Sequence, residues 1–334
     1  MGKQKRVLIT GAGGFIGHHL AKRLKSDGHW VRGVDIKYPE YEVSASDDFE
    51  ILDLRKAENC LLATRGGIDE VYNLAADMGG IGYITAYLAD IARNNILINA
   101  HMLEASRQNG IQRYLYSSSA CVYNQSKQQE TAVTPLREED AYPADPEPGY
   151  GWEKLFAEEL CRYYFKDYGF ETRIVRFHNV YGPLGTYEGG KEKAPAAICR
   201  KVALAEDDSE IEVWGDGEQT RSFMYVDDCV EGLIRIMASD YREPINLGTE
   251  ELVSINKLVN LVAKIAGKRI TKRHNLSGPQ GVRGRNSDNA RLRKVLDWEP
   301  SLPLERGLAS TYDWIADQLR SRGAVSDSVS AAAD

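Results

Sequence analysis

Three serines lead to a cysteine in Ser117-Ser118-Ser119-Ala120-Cys121, and further along the chain Tyr150 is followed one helical turn later by Lys154. Side chains four residues apart on a helix share a face. An ammonium there stabilises a tyrosinate, and both groups can reach ribose hydroxyls beside a nicotinamide. Tyr150 can then take the proton of a sugar hydroxyl as its carbon gives up a hydride. Ser118 or Ser119 can donate a hydrogen bond to the oxygen that alternates between alcohol and ketone. Ser119 is preferred because it stands beside Cys121, with a turn-capping serine as the plainer alternative. A ketone acidifies the hydrogens on the neighbouring carbons. Cys121, as a thiolate near cationic groups, is a candidate base for removing them, and Lys193 is a candidate acid for the opposite face. Each has an ordinary alternative: Cys121 as a small buried strand-end residue, and Lys193 as a phosphate contact or a solvated lysine. Cys60, Cys161, Cys199 and Cys229 sit in helical patterns and read as packing residues.

These groups need a dinucleotide beside them, and the first forty residues supply a site for one. The apolar run Val7 to Thr10 reads as a strand, Gly11, Gly14 and Gly17 form a glycine turn enclosing Phe15 and Ile16, and a helical pattern continues to Leu24. Small residues let the backbone approach a pyrophosphate, and the helix N-terminus presents free N–H groups to it. A second strand ends at Asp35, whose carboxylate suits a ribose diol and repels a 2′-phosphate, so the expected cofactor is NAD. Asp53, after another strand, is placed at the adenine edge or as a helix cap. Ala75 and Ala76 let the chain pass close to the dinucleotide.

Strands at 49–52, 70–74, 113–116 and 172–177 alternate with helical patterns, including 94–109, where Ile98, Met102 and Ala105 share a face. The expectation is an α/β protein: a Rossmann-type doubly wound parallel sheet with a smaller C-terminal substrate-binding lobe. Residues 1–185 are assigned mainly to the NAD-binding domain and 186–322 mainly to the substrate lobe, with segments such as Asn246 to Gly248 returning to the first. Residues 323–334 are read as a flexible tail. Beyond Thr186 the alternation gives way to expected long loops carrying Lys191, Lys193, Trp214, Gln219 and Arg221, and Ser254 to Ala266 reads as a capped amphipathic helix. Asn179, Lys201, Arg221 and Arg285 suggest a phosphorylated handle on the substrate. Gln219 suits a base edge or a sugar hydroxyl, or an exposed loop.

The chain has 334 residues and a formal net charge of −7, with its basic residues scattered. That balance disfavours nucleic acid and anionic membrane as partners. No membrane-length apolar stretch or signal-type segment is present in the sequence, and no metal-ligand spacing appears among the five cysteines, which points to a cytoplasmic protein with free thiols.

The strings GAGGFIG, NLAADMGG, SSSACVY, YGWEKL, RFHNVYGP, GGKEKAPAA, WGDGEQTRSF and GPQGVRGRNSDN give the chain, from about Arg6 to Gln318, a close resemblance to the GDP-mannose 3,5-epimerase family of extended short-chain dehydrogenases/reductases. The resemblance implies bound NAD, GDP-mannose as substrate, and GDP-L-galactose with GDP-L-gulose as products. It assigns the redox step to Tyr150 and Lys154, proton exchange at C3 and C5 to Cys121 and Lys193, and a diphosphate contact to Arg285. Asn179, Lys201 and Gln219 match other substrate-lobe positions. Asn124 departs from the proline or glycine often found after the Val-Tyr pair. A homodimer paired through helices at 94–109 and 154–165 is expected on the same ground. A nucleotide-sugar 4-epimerase, which needs no base on each carbon face, is the nearest alternative, and a non-catalytic NAD-sensing interaction protein is another.

Overall fold

The computed structural model describes residues 4–278 and 281–324. The tail expected at 323–334 therefore falls, from residue 325 onward, outside the described residues, as do residues 279 and 280 of the glycine-rich basic loop. The first half of the chain runs β1 (Arg6–Thr10), α1 (Phe15–Ser26), β2 (Trp30–Asp35), β3 (Asp48–Ile51), α2 (Ala57–Thr64), β4 (Glu70–Asn73), α3 (Ile81–Ala86), α4 (Leu88–Gln108), β5 (Arg113–Ser119), α5 (Tyr150–Tyr168) and β6 (Thr172–Phe177). It continues through β7 (Asn179–Tyr181), α6 (Ala194–Leu204), β8 (Ser209–Trp214), β9 (Thr220–Arg221), β10 (Phe223–Tyr225), α7 (Val226–Ala238) and β11 (Ile245–Leu247). The remainder comprises β12 (Val253–Ser254), α8 (Ile255–Ala266), β13 (Ile270–Asn275), β14 (Gly284–Arg285), α9 (Ala290–Leu296) and α10 (Leu304–Ser321).

Seven strands form one parallel sheet in the order β11-β6-β5-β4-β1-β2-β3. Its chain direction reverses beside β1, where a doubly wound sheet opens a crevice at the strands' C-terminal ends. Both faces are covered, so the central strands are apolar throughout: Val7, Leu8 and Ile9 have no solvent exposure. One face packs Leu20 and Leu24 of α1 against Leu233 and Ile236 of α7. The other carries Cys60 of α2, Met102 of α4 and Ala157 of α5. A further core joins Ile198 of α6, Leu258 of α8 and Leu308 of α10, with Tyr41 and Tyr187 stacked at its edge and Trp314 edge-on to both. Late chain segments thus serve the main sheet, since α7 covers it and β11 pairs with β6.

The sheet differs from the sequence expectation where polar residues are buried and satisfied. Strand β5 runs through the serines to Ser119, three residues past Tyr116, because the Ser117 hydroxyl donates to the Asn73 carbonyl at 2.8 Å and the Ser118 hydroxyl to Glu158 at 2.5 Å. Helix α4 begins at Leu88, ahead of the expected Asn94. The long loops expected after Thr186 are partly strand: Trp214 closes β8 and Arg221 lies in β9, leaving Lys191 and Lys193 in the segment before α6. Ser254 caps α8, its hydroxyl accepting from the Lys257 N–H at 3.1 Å.

Glycine is required in the turn after β1. Gly11 has φ +71°, and a Cβ there would sit 2.9 Å from the Ala75 nitrogen. At Gly17 a Cβ would lie 2.2 Å from the Gly11 carbonyl oxygen, so Gly17→Ala forces α1 away from the turn. The expected cost is about 1–3 kcal/mol, in the range of overpacked substitutions, read as a lowered thermal midpoint. An unchanged midpoint would contradict this packing account.

Candidate active site

The C-terminal ends of β1, β4, β5 and β6 bring the sequence-predicted groups together. At the end of β5 the Ser119 hydroxyl accepts from the Cys121 N–H at 3.2 Å and also lies within hydrogen-bond reach of the Tyr150 phenol. Both readings of Ser119 hold at once: it caps the short 3-10 turn Ala120–Val122 and faces the tyrosine. Burial raises the Tyr150 phenol well above its ordinary range, with Cys121 and Glu153 adding to the rise and Ser119 opposing it.

Lys154 is fully enclosed and its ammonium donates to the Ser117 carbonyl at 2.9 Å, 5.5 Å from the centre of the Tyr150 ring. Burial lowers its pKa while Glu153, 3.9 Å away, pulls it back up. Glu153 itself is pushed up to about 7 by burial, although Lys154 and the amides of Asn95 and Asn99 favour its charged form. These partners were not singled out in the sequence. The only signal for them was the polar residues of α4, spaced one turn apart on an otherwise apolar face.

Cys121 is half-buried as a residue, yet its sulfur is desolvated, and burial together with the Glu147 carboxylate pushes the thiol up to about 11. Burial and Glu147 thus oppose the thiolate expected from the sequence. The cation needed to hold a thiolate is present: Arg285 Nη1 lies 3.6 Å from Cys121 Sγ, but Glu147 offsets it. Lys193 caps the start of α6, with its backbone carbonyl accepting from Ala197. Its ammonium is desolvated close enough to Cys121 to feel its charge, and burial lowers its pKa. The loop that carries it is docked on the other half of the site, for the Gly80 N–H donates to the Lys191 carbonyl at 3.1 Å and the Lys191 ammonium lies 3.9 Å from the centre of the Tyr83 ring.

The substrate-lobe residues fall into two groups. Arg221 and Arg285 stand opposite each other on β9 and β14, and Asn179 donates to the Ser222 carbonyl beside them at 3.0 Å. Arg221 donates to the Thr220 carbonyl, and burial with the Arg285 charge lowers its guanidinium to about 10. Lys201 and Gln219 gather at β8, donating to the carbonyls of Glu212 and Trp214 at 2.8 and 2.9 Å. Arg285, the residue that resemblance places at the diphosphate, is held here by side chains of its own chain. Its guanidinium is buried and directed to Gln128, Cys121 and Glu147. Gln128 and Glu147 were missed, since a single Gln or Glu in a polar loop carries no spacing signal.

The cofactor residues were tested on their own geometry. Helix α1 starts at Gly14 with no side-chain cap on its first N–H groups, and the enclosing turn tolerates no Cβ at Gly11 or Gly17. Phe15 and Ile16 open that helix, and Ala75 is fixed beside it by its N–H to the Thr10 hydroxyl at 3.1 Å. The Asp35 carboxylate accepts from the N–H of Gly13 at 3.0 Å, and Gly13 lines a cavity with Gly14, Lys37, Tyr41 and Thr186. This arrangement fits a dinucleotide. Asp53 is neither the cap of α2 nor unengaged. Its carboxylate holds the Arg55 N–H and guanidinium, and the cap position belongs to Lys56.

The NAD dependent epimerase/dehydratase family matches residues 7–248. The chain belongs to that family. It is 50% identical over 327 residues to the GDP-mannose 3,5-epimerase of Arabidopsis thaliana, covering 97% of this chain and 86% of the relative. Among solved structures, the UDP-glucose 4-epimerase of Thermotoga maritima with UDP-glucose superposes with a TM-score of 0.85 at 26% identity, over 94% of this chain and 99% of that one. The UDP-glucuronic acid 4-epimerase of Bacillus cereus, in complex with UDP-glucuronic acid and NAD, gives 0.79 at 28% identity over 94% and 99%. The fold is thus that of NAD-dependent epimerases, and NAD is the cofactor.

Asp35 makes this specificity testable. Protein denatured after purification is expected to release NAD, and Asp35→Asn to weaken NAD retention by about tenfold through the loss of charge-assisted hydrogen bonds. NADP as the dominant released nucleotide would contradict the role of Asp35.

Proposed function

We propose that this protein is a GDP-mannose 3,5-epimerase, converting GDP-α-D-mannose to GDP-L-galactose with GDP-L-gulose as the C5-epimer product. The observation that carries the reading is the placement of two proton carriers, Cys121 and Lys193, around the Tyr150 and Ser119 pair. A 4-epimerase uses the redox pair alone. The 50% identity to the Arabidopsis enzyme supports the same reading, and nucleotide sugars are the substrate class.

Bound NAD, held by the glycine turn with Asp35, Ala75, Tyr150 and Lys154, supplies reversible two-electron chemistry at C4. Ser119 orients the C4 oxygen, and Tyr150 takes its proton and later returns it, with the buried Lys154 ammonium favouring the phenolate. The C4 ketone acidifies C3 and C5. Inversion at either carbon needs proton removal on one face and delivery on the other. Burial favours the neutral thiol of Cys121 and the neutral amine of Lys193. Cys121 is proposed as the base and Lys193 as the acid of the opposite face, with burial opposing the charged form of each. Asn179, Lys201, Arg221 and Arg285 are proposed to hold the nucleotide diphosphate, Gln219 to meet a base edge or sugar hydroxyl, and Asp53 to meet the adenine edge by sharing Arg55. The two-lobe division near residue 185 is retained on this basis.

A homodimer is proposed through α4 and α5. Ile96 on α4, and Trp152, Phe156 and Tyr163 along α5, expose large apolar surface on neighbouring helices. Among the described residues no helix is long and apolar enough to cross a membrane, and all five cysteines are unpaired. A cytoplasmic location is proposed from the thiols.

With GDP-mannose in deuterium oxide, recovered GDP-hexose is expected to carry deuterium at C3 and C5. Stereochemical change confined to C4, without carbon-bound deuterium, would make the protein a 4-epimerase. Tyr150→Phe is expected to suppress C4 oxidation by about 10²–10⁴-fold. Cys121→Ala and Lys193→Met should retain oxidation and GDP-mannose binding and lose 3,5-epimer product. Single-turnover NADH absorbance beside product analysis separates the cases, and loss of binding in proportion to activity would make Lys193 a phosphate contact. Sedimentation is expected to show a dimer that Trp152→Glu dissociates. A monomer throughout the active concentration range would reject that interface.

A further inference from the structure

Cys121 is fixed at the end of β5, whereas Lys193 takes its place from the loop that leads into α6. Glycine opens that loop: Gly189 and Gly190 have φ +87° and +85°, with open space around both. A proton carrier on such a segment needs a hold from outside it, because a displacement of about 1 Å can cost a reaction about 10²-fold.

The hold comes from the segment between β4 and α3. The Gly80 N–H donates to the Lys191 carbonyl at 3.1 Å, and a Cβ on Gly80 would sit 2.8 Å from the Glu192 carbonyl oxygen, so the two main chains touch. Beside that contact the Lys191 ammonium lies 3.9 Å from the centre of the Tyr83 ring. Glu192 accepts from the Gly190 N–H at 2.7 Å and lies 3.5 Å from Arg200, which ties the loop to α6.

The ring under Lys191 is itself anchored. Its hydroxyl donates to Asp77 Oδ1 at 2.8 Å, and Asn94 donates to the other carboxylate oxygen at 2.9 Å. The Asp77 main chain is gripped as well, since its N–H donates to Asn95 Oδ1 at 2.7 Å and its carbonyl accepts from Asn95 Nδ2 at 3.1 Å. Asn95 also donates to Glu153, the neighbour of Lys154. Burial and the Asp77 carboxylate push the Tyr83 phenol up to about 12, which keeps its hydrogen available to Asp77. Tyr83 and Cys121 pack on the cluster in which Ile84 and Ile91 bury Tyr150. The frame around the redox pair therefore reaches, through Asp77 and Tyr83, to the loop of Lys193.

We propose that Tyr83 is a positioning residue for the epimerisation: anchored by Asp77, its ring face holds the Lys191 ammonium and so sets Lys193 against the carbon face opposite Cys121. The inference rests on the 3,5-epimerase reading and on the acid role it gives Lys193. C4 oxidation uses Tyr150, Lys154 and Ser119, which stand on α5 and β5 and not on this loop. Loosening the hold therefore falls on proton delivery to carbon and spares hydride transfer.

The test compares two rates in the full-length, NAD-bound protein with GDP-mannose: NADH formation in a single turnover, and formation of 3,5-epimer product. Tyr83→Phe keeps the ring and its packing and removes the hydroxyl that reaches Asp77. Lys191→Met keeps the chain length and removes the cation. Each is expected to lower epimer formation about tenfold while NADH formation stays within about twofold of wild type. Lys191→Arg keeps a cation for the ring and should restore the wild-type ratio of the two rates. A ratio unmoved in either Tyr83→Phe or Lys191→Met overturns the proposal, and so does a parallel loss of both rates, which would mark a general structural or binding role. Failure of Lys191→Arg to exceed Lys191→Met overturns it too. Lys191 is exposed, so its variants decide the case even where Tyr83→Phe does not fold. An unmoved ratio in a protein that makes 3,5-epimers leaves the 3,5-epimerase reading intact. Wild-type protein that forms only a C4 epimer would remove that reading, and the proposal with it.

Discussion

The buried ammonium of Lys154 is the constraint around which the site is organised. A lysine taken out of water stays charged only if its surroundings compensate. Here the compensation is a connected set of groups: the Ser117 carbonyl accepts from it, and Glu153 stands 3.9 Å away. Glu153 is gripped by Asn95 and Asn99 of α4, and Asn99 accepts from Asn73 in β4. Asn73 in turn accepts from the Thr10 hydroxyl, which receives the N–H groups of Leu74 and Ala75 beside the glycine turn. One ion pair followed by successive hydrogen bonds therefore links the redox lysine to the cofactor turn. Placing the lysine correctly and placing the dinucleotide turn correctly are the same structural requirement.

The second constraint is that the groups for carbon chemistry come from chain segments remote from the redox pair. Lys193 arrives at the start of α6, held by contacts between its loop and the Gly80 and Tyr83 region. Arg285 arrives on β14, which is registered against β9. Strand β11 and helix α7 tie the later chain back to the main sheet, and Asn246 donates from its side chain to the Leu136 carbonyl while its N–H reaches Glu138. The two halves of the site are consequently joined by buried polar contacts, and removing one partner leaves an unsatisfied group inside the protein.

Legibility in the sequence followed the locality of the interactions. The glycine turn, the acid at the end of β2 and the helical Tyr150 and Lys154 pair are set by near neighbours, and spacing identified them. The apolar periodicity around Ile98, Met102 and Ala105 identified the buried face of α4. The extent of β5 was misjudged because serine has weak strand preference in isolation, whereas Ser117 and Ser118 are satisfied by Asn73 and Glu158 from distant segments. Gln128 and Glu147 were unreadable for the same reason: their roles exist only once Arg285, more than a hundred residues away in sequence, has been folded against them. Around Cys121 the sequence shows cations in the chain but not the desolvation or the carboxylate that oppose them.

Desolvation also explains why this site suits carbon acids. Burial in a desolvated pocket favours the neutral forms of a thiol and an amine, raising the one pKa and lowering the other at Cys121 and Lys193. Proton exchange with the carbons on either side of a ketone changes the charge on Cys121 and on Lys193 as it proceeds. The charge so created needs partners already in place, because reorganising them during the reaction would add to the barrier. Arg285, 3.6 Å from the sulfur and fixed by Gln128 and Glu147, is such a partner. Its carboxylate neighbour limits how far the thiolate is stabilised, which keeps the sulfur able to recover its proton. The buried pair thus sets a cation and an anion against the same sulfur, so that neither charge acts on it alone.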